Sequence, residues 1–131
     1  MISVDTNLIV RFFVRDNEQE FEIADKMIRE QEIFIVTSVI LETEWVLRRV
    51  YKHSNDAVMN AFERLCDLTN VKLSEPDIVR RAIAWSRHGL DFADALHLAL
   101  SSAAEAFVTF DRQFGKTAQL VSPHVPVRIA S

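Results

Sequence analysis

An α/β fold with a parallel sheet covered on both faces is predicted by two features of this sequence. Short stretches rich in β-branched or aromatic residues alternate with longer stretches of helical periodicity, and the links between successive strands are long enough to carry helices. Punctuation is sparse: only Gly89, Gly115 and three prolines interrupt 131 residues, and nothing is repetitive, low-complexity or linker-like. That length suits one domain over residues 1–131, with a core that needs no staples. Composition agrees, since 49% of residues are hydrophobic and 26% charged, well away from the disordered class.

Each element follows from its own residues. ISV at 2–4 reads as a short buried strand, with a helix over 7–14 and a second over 19–30. FIV at 34–36 is the next strand, followed by a long helix over 38–51. The helix over 56–68 carries Cys66 beside Phe62 and Leu65 on its apolar face, so this lone cysteine is expected in the core and cannot form an internal disulfide. VKL at 71–73 precedes helices over 77–87 and 92–104. FVTF at 107–110, a short helix over 112–116 and VRI at 127–129 complete a set of about five short strands.

The longest apolar runs, IFIV and AIAW, are four residues each, against roughly 20 for a membrane helix. No span is expected. MISVDTN has neither a basic segment nor an apolar leader, so a cytoplasmic protein is expected. A net charge of −4 argues against coating nucleic acid through a broad positive field, and leaves room for an enzyme that holds one strand locally.

In parallel sheets, ligands collect beyond the carboxyl ends of the strands, where loops and helix starts converge. Four segments deliver an acid to such a place. Asp5 ends the first strand, expected to be central; Asp-Thr-Asn there also caps a helix. Glu42 shares a helical face with Val39, Trp45 and Val46, which points its carboxylate at an apolar wall and asks for a cation or a basic partner; Glu44 fits a solvated position. In DFADALHLA, Asp91 suits an N-cap, which leaves Asp94, one turn before His97 and Leu98, for other work. Asp111 closes the fourth strand on the same side as Thr109, and also suits a cap for the helix that follows.

Carboxylates that converge repel one another unless cations neutralise them, and hard oxygen ligands suit Mg²⁺ or Mn²⁺. Zinc lacks its Cys/His cluster, a lone His97 reading as a polar core or rim residue rather than a ligand. There is no Gly-rich phosphate loop and no Gly-flanked serine elbow. Metals held by acids activate water and brace both oxygens of an in-line phosphoryl displacement, so phosphodiester hydrolysis is the natural chemistry.

In their order and spacing, VDTN, the Glu42 of SVILETEWVL, the DFADALHLA helix and VTFDRQF resemble the PIN-domain ribonucleases, specifically the VapC and FitB type toxins of bacterial toxin–antitoxin pairs. The resemblance covers nearly the whole chain. It implies a three-layer α/β/α fold around a central parallel sheet, with Asp5, Glu42, Asp94 and Asp111 as the acidic quartet that binds Mg²⁺ or Mn²⁺ and cleaves RNA. Asn7 and Thr109 fit the family pattern, Asp91 is accessory, and Val4 stands where Ile is common. It further implies a homodimer silenced by a cognate antitoxin whose C-terminal segment enters the active-site groove.

Two other classes compete. A receiver-like interaction module would bind Mg²⁺ without cutting RNA, but needs a Lys near the end of a late strand, whereas Lys116 lies in a helical stretch. A phosphatase of the haloacid dehalogenase type needs a second Asp where this chain has Asn7. Arg48, Arg49 and Lys52, Arg80, Arg81 and Arg87, and Arg112 with Lys116 are either phosphate contacts or solvated faces.

Overall fold

A computed structural model describes residues 1–121 and 123–131. The chain packs as two compact units, Met1–Pro76 and Asp77–Ser131. The fold class is α/β with parallel strands, as expected. Among the described residues, the strands are hydrogen-bonded as a three-stranded ladder in the first unit and a two-stranded ladder in the second. No helix among the described residues is long and apolar enough to cross a membrane.

The first unit runs β1 (Ile2–Ser3), α1 (Thr6–Phe13), α2 (Glu18–Glu30), β2 (Ile33–Ile35), α3 (Thr37–Trp45), a π-helical turn (Val46–Val50), α4 (Asn55–Asp67) and β3 (Val71–Leu73). Its strands are parallel in the order β1-β2-β3, with Ile33 opposite both Ile2 and Val71. β2 is therefore the middle strand of the first unit's ladder, with β1 on one side and β3 on the other. Ile33 and Ile35 are fully buried, which fits the apolar run that predicted the strand. Side chains satisfy the helix starts: Asn17 Oδ1 accepts from Glu20 N (3.0 Å) and Ser54 Oγ from Ala57 N (3.1 Å). The α1–α2 corner is tied by Arg11, whose guanidinium lies 2.5 Å from Asp16 Oδ1 and 2.6 Å from Glu20 Oε2.

The helix expected over 38–51 is interrupted. Tyr51 N donates to Val46 O (3.2 Å), a wider π turn, and Lys52 then takes a left-handed φ of 60°. The buried stripe is Ile40, Thr43, Glu44 and Leu47, the i, i+3, i+4, i+7 set of one helical face. This reverses the expected placement of two acids. Glu42 is exposed, as is Trp45 (54%), while Glu44 is 1% exposed and pairs with Arg48 Nε at 2.6 Å. The stripe of Ile40 and Leu47 outweighs that of Val39 and Val46, and an i, i+4 arginine makes burial of Glu44 tolerable. Cys66 is only half-buried, one position off the Phe62–Leu65 stripe, so it is not the core residue expected.

The second unit holds α5 (Pro76–Arg87), α6 (Phe92–Ala99), β4 (Phe107–Thr109), α7 (Arg112–Leu120) and β5 (Val127–Ile129). β4 and β5 pair in parallel, Phe107 opposite Val127 and Thr109 opposite Ile129, with α7 as the crossover. Gly89, at φ 109°, closes α5: its N–H donates to Ser86 O and that of Leu90 to Trp85 O, the paired bonds of a left-handed helix stop. Trp85, on this helix, is 9% exposed. α6 ends at Ala99, five residues short of the expected 104, because Ser101 Oγ bonds back to His97 O (2.7 Å) and its N–H to Leu98 O. α7 outruns the expected 116 to reach Leu120. A Cβ at Gly115 would lie 3.0 Å from Ile129 Cδ1, so this glycine sits where α7 approaches β5 most closely.

Arg48→Ala should destabilise the protein by about 3 kcal/mol, because it strands a buried carboxylate, whereas the joint change Glu44→Leu with Arg48→Met should be close to neutral. Urea unfolding of the two variants checks this; equal losses would show that the pair is not what sets the stability of α3.

Candidate active site

In the first unit the site is built by the turn that leaves β1. Asp5 has extended backbone (φ −93°, ψ 175°) and caps α1, its Oδ1 accepting from Leu8 N at 3.0 Å. A helix start leaves N–H groups without intrahelical partners, and the strand end is where one of them must be met by a side chain. Thr6, the next residue, is 9% exposed and donates its hydroxyl hydrogen to Glu42 Oε1 on α3. Asp5, Thr6, Asn7, Val10, Glu42 and Val46 line one cavity of about 300 Å³. The structure thus brings together Asp5, Asn7 and Glu42, and joins them through Thr6, which sequence reasoning passed over. The available signal was its place between two singled-out residues.

The second unit presents its acids from two helix starts. Asp91 caps α6, accepting from Asp94 N at 3.4 Å, as expected. Asp111 caps α7, accepting from Phe114 N at 3.0 Å, while its own N–H donates to Thr109 Oγ1 at 3.0 Å. Thr109 therefore holds the backbone of Asp111 although β4 has already ended. Asp94 caps nothing. Its carboxyl is pushed above the ordinary range, first by partial burial and then by the charges of Asp91 and Asp111, against an opposing contribution from His97. These carboxylates share one electrostatic field. His97 is exposed.

The donors are hard. Asp5 and Asp111 each commit one carboxylate oxygen to a helix amide, and Glu42 commits one to Thr6, so each retains a second oxygen with no partner among the described residues. Repulsion around Asp94 is what a cation would relieve, and carboxylate oxygens in either unit suit hard divalent ions rather than softer ones. Among the described residues, no group of three or more Asp, Glu, His or Cys side chains is already gathered as a ready-made metal cluster.

The raised carboxyl of Asp94 has a definite sign in stability. A carboxyl whose folded pKa exceeds its unfolded value favours folding through its protonated form; that contribution is complete below about pH 3.9 and is lost as pH rises through the folded pKa. Ionised Asp94 therefore opposes folding at neutral pH. Asp94→Asn should raise Tm at pH 7 by a few degrees in the presence of a chelator, and the advantage should shrink as pH falls to about 4. Calorimetry across that interval checks it, and a gain that is the same at both ends would remove the charge explanation.

A search among curated proteins returned no match. The family model for the PIN domain matches residues 2–120, which reaches into both units and takes in every acid described above. By that match, the chain belongs to the PIN domain family and carries a nuclease-type fold.

Proposed function

We propose that this protein is a Mg²⁺-dependent endoribonuclease, with Mn²⁺ as a substitute ion, acting in the cytoplasm as the toxin of a VapC or FitB type toxin–antitoxin pair. The observation that carries this reading is the placement of Asp5 and Glu42 in one cavity, joined by Thr6, within a chain that matches the PIN family over 2–120. In the proposal, residues 1–131 act as a single domain and Asp5, Glu42, Asp94 and Asp111 hold the cation.

A bound divalent ion would supply a water made acidic enough to attack at neutral pH, and positive charge to offset that gathering on the phosphate. The protein's own part is preorganisation. The caps at Asp5 and Asp111 fix two carboxylates to helix starts, so their free oxygens need no reordering when a ligand arrives. Asn7 lines the same cavity as Asp5 and offers an amide that can donate to a phosphate oxygen. Arg48 being committed to Glu44, the cations left for RNA phosphates are better sought in Arg49, Arg112 and Lys116, which are exposed. The partners in this reading are RNA, a second copy of the chain and a cognate antitoxin.

Asp5→Asn, Glu42→Gln, Asp94→Asn and Asp111→Asn should each lower metal-dependent RNA cleavage by about 10² or more, and Asp91→Asn by less. Sequencing of RNA ends after brief expression of wild type and variants reads this out. Near wild-type cleavage by two of the four folded variants removes the quartet. Metal binding without any cleavage by wild type would favour the non-catalytic, receiver-like alternative.

Without a cation the acids are uncompensated negative charge, which an arginine in the C-terminal segment of an antitoxin could occupy with two-pronged geometry. The double variant Asp5→Asn/Asp94→Asn should therefore change affinity for the antitoxin at fixed salt. Identical affinities would place inhibition on a remote surface.

A further inference from the structure

We propose that Thr6 is a positioning residue that occupies one oxygen of Glu42, restricts this carboxylate to single-oxygen contact with a divalent cation, and so favours Mg²⁺ over Ca²⁺. The inference rests on the cation-dependent reading above and assigns a role to a residue outside the acidic quartet.

Three observations support it. Thr6 is 9% exposed and its hydroxyl donates to Glu42 Oε1, so water competes poorly for the bond; Oε2 has no partner among the described residues. The hydroxyl is held from behind as well, because Thr6 is the first residue of α1 and Asp5 fixes that helix start through Leu8 N. Glu42 sits on the exposed side of α3, and the Thr6 hydroxyl is the group that orients its carboxylate within the cavity it shares with Asp5.

Cation chemistry gives this arrangement its consequence. Ca²⁺ takes six to eight oxygens and readily accepts both from one carboxylate, whereas Mg²⁺ is small, demands near-octahedral order and uses single oxygens from each acid. A carboxylate with one oxygen already engaged loses little as a ligand to Mg²⁺ and more as a ligand to Ca²⁺. Residues that orient a metal-binding side chain commonly change metal affinity by tenfold or more when removed.

The test is calorimetric titration of the full chain with Mg²⁺ and, separately, with Ca²⁺, for wild type, Thr6→Val and Thr6→Ser. The ratio of Mg²⁺ to Ca²⁺ affinity should fall about tenfold in Thr6→Val and be restored in Thr6→Ser, which keeps the hydroxyl. An unchanged ratio in Thr6→Val, or a Thr6→Ser variant that behaves like it, overturns the proposal. If Thr6→Val does not fold, difference infrared spectra of wild type with and without Mg²⁺ decide the matter. The carboxylate bands that disappear in Glu42→Gln should carry the wide splitting of single-oxygen coordination, and the narrow splitting of two-oxygen coordination overturns the proposal. A wild type that binds neither cation sinks the metal-dependent reading itself, whereas cation binding with an unaltered ratio sinks only the role of Thr6.

Discussion

Helix starts need acceptors, and at α1 and α7 the acceptors are two acids of the proposed site, Asp5 and Asp111. Two residues separate β1 from α1 and β4 from α7, and each helix start leaves amides that no residue within the helix can meet. Asp5 and Asp111 meet them with one oxygen each. The same covalent fact, a carboxylate having two oxygens, lets one residue hold a helix in place and still face a ligand. The capping role and the proposed chemical role are thus not alternatives at these positions. The position of a carboxylate at a strand end follows from the first role, and its availability from the second.

This explains why the sequence was legible at the caps and misleading on α3. DTN, DFAD and FDRQ each announce a helix start within four residues, and all three acids cap as read. Local chemistry decided those places. Which face of a long helix is buried is decided by distant packing, and two apolar stripes competed on 38–51 with nearly equal claims. The stripe of Ile40 and Leu47 prevailed, taking Glu44 inward with Arg48 and leaving Glu42 outward with Trp45. Glu42 was therefore singled out on an argument, an apolar environment, that the structure does not support. Its place beside Asp5 comes from the approach of α3 to α1 and from the hydroxyl of Thr6.

Helix ends were less legible than helix starts for a related reason. The halt of α6 at Ala99 comes from a serine hydroxyl turning back onto a carbonyl, and SSAAEA gives no glycine or proline to mark it. α7 passes through Gly115 because the helix must approach Ile129 closely there, a requirement visible only once β5 is in place. The strand set was read well in number and length, yet strands of two or three residues contain too little pattern to say which pairs with which.

The sequence has two tryptophans, and one falls in each compact unit: Trp45, largely in water, and Trp85, nearly out of it. The first should emit at long wavelength and be open to collisional quenchers, the second at shorter wavelength and shielded. A single-tryptophan form of the protein would make each unit report its own melting. The chain therefore contains the optical probes needed to ask whether the two units unfold in one step or in two, and which of them melts first.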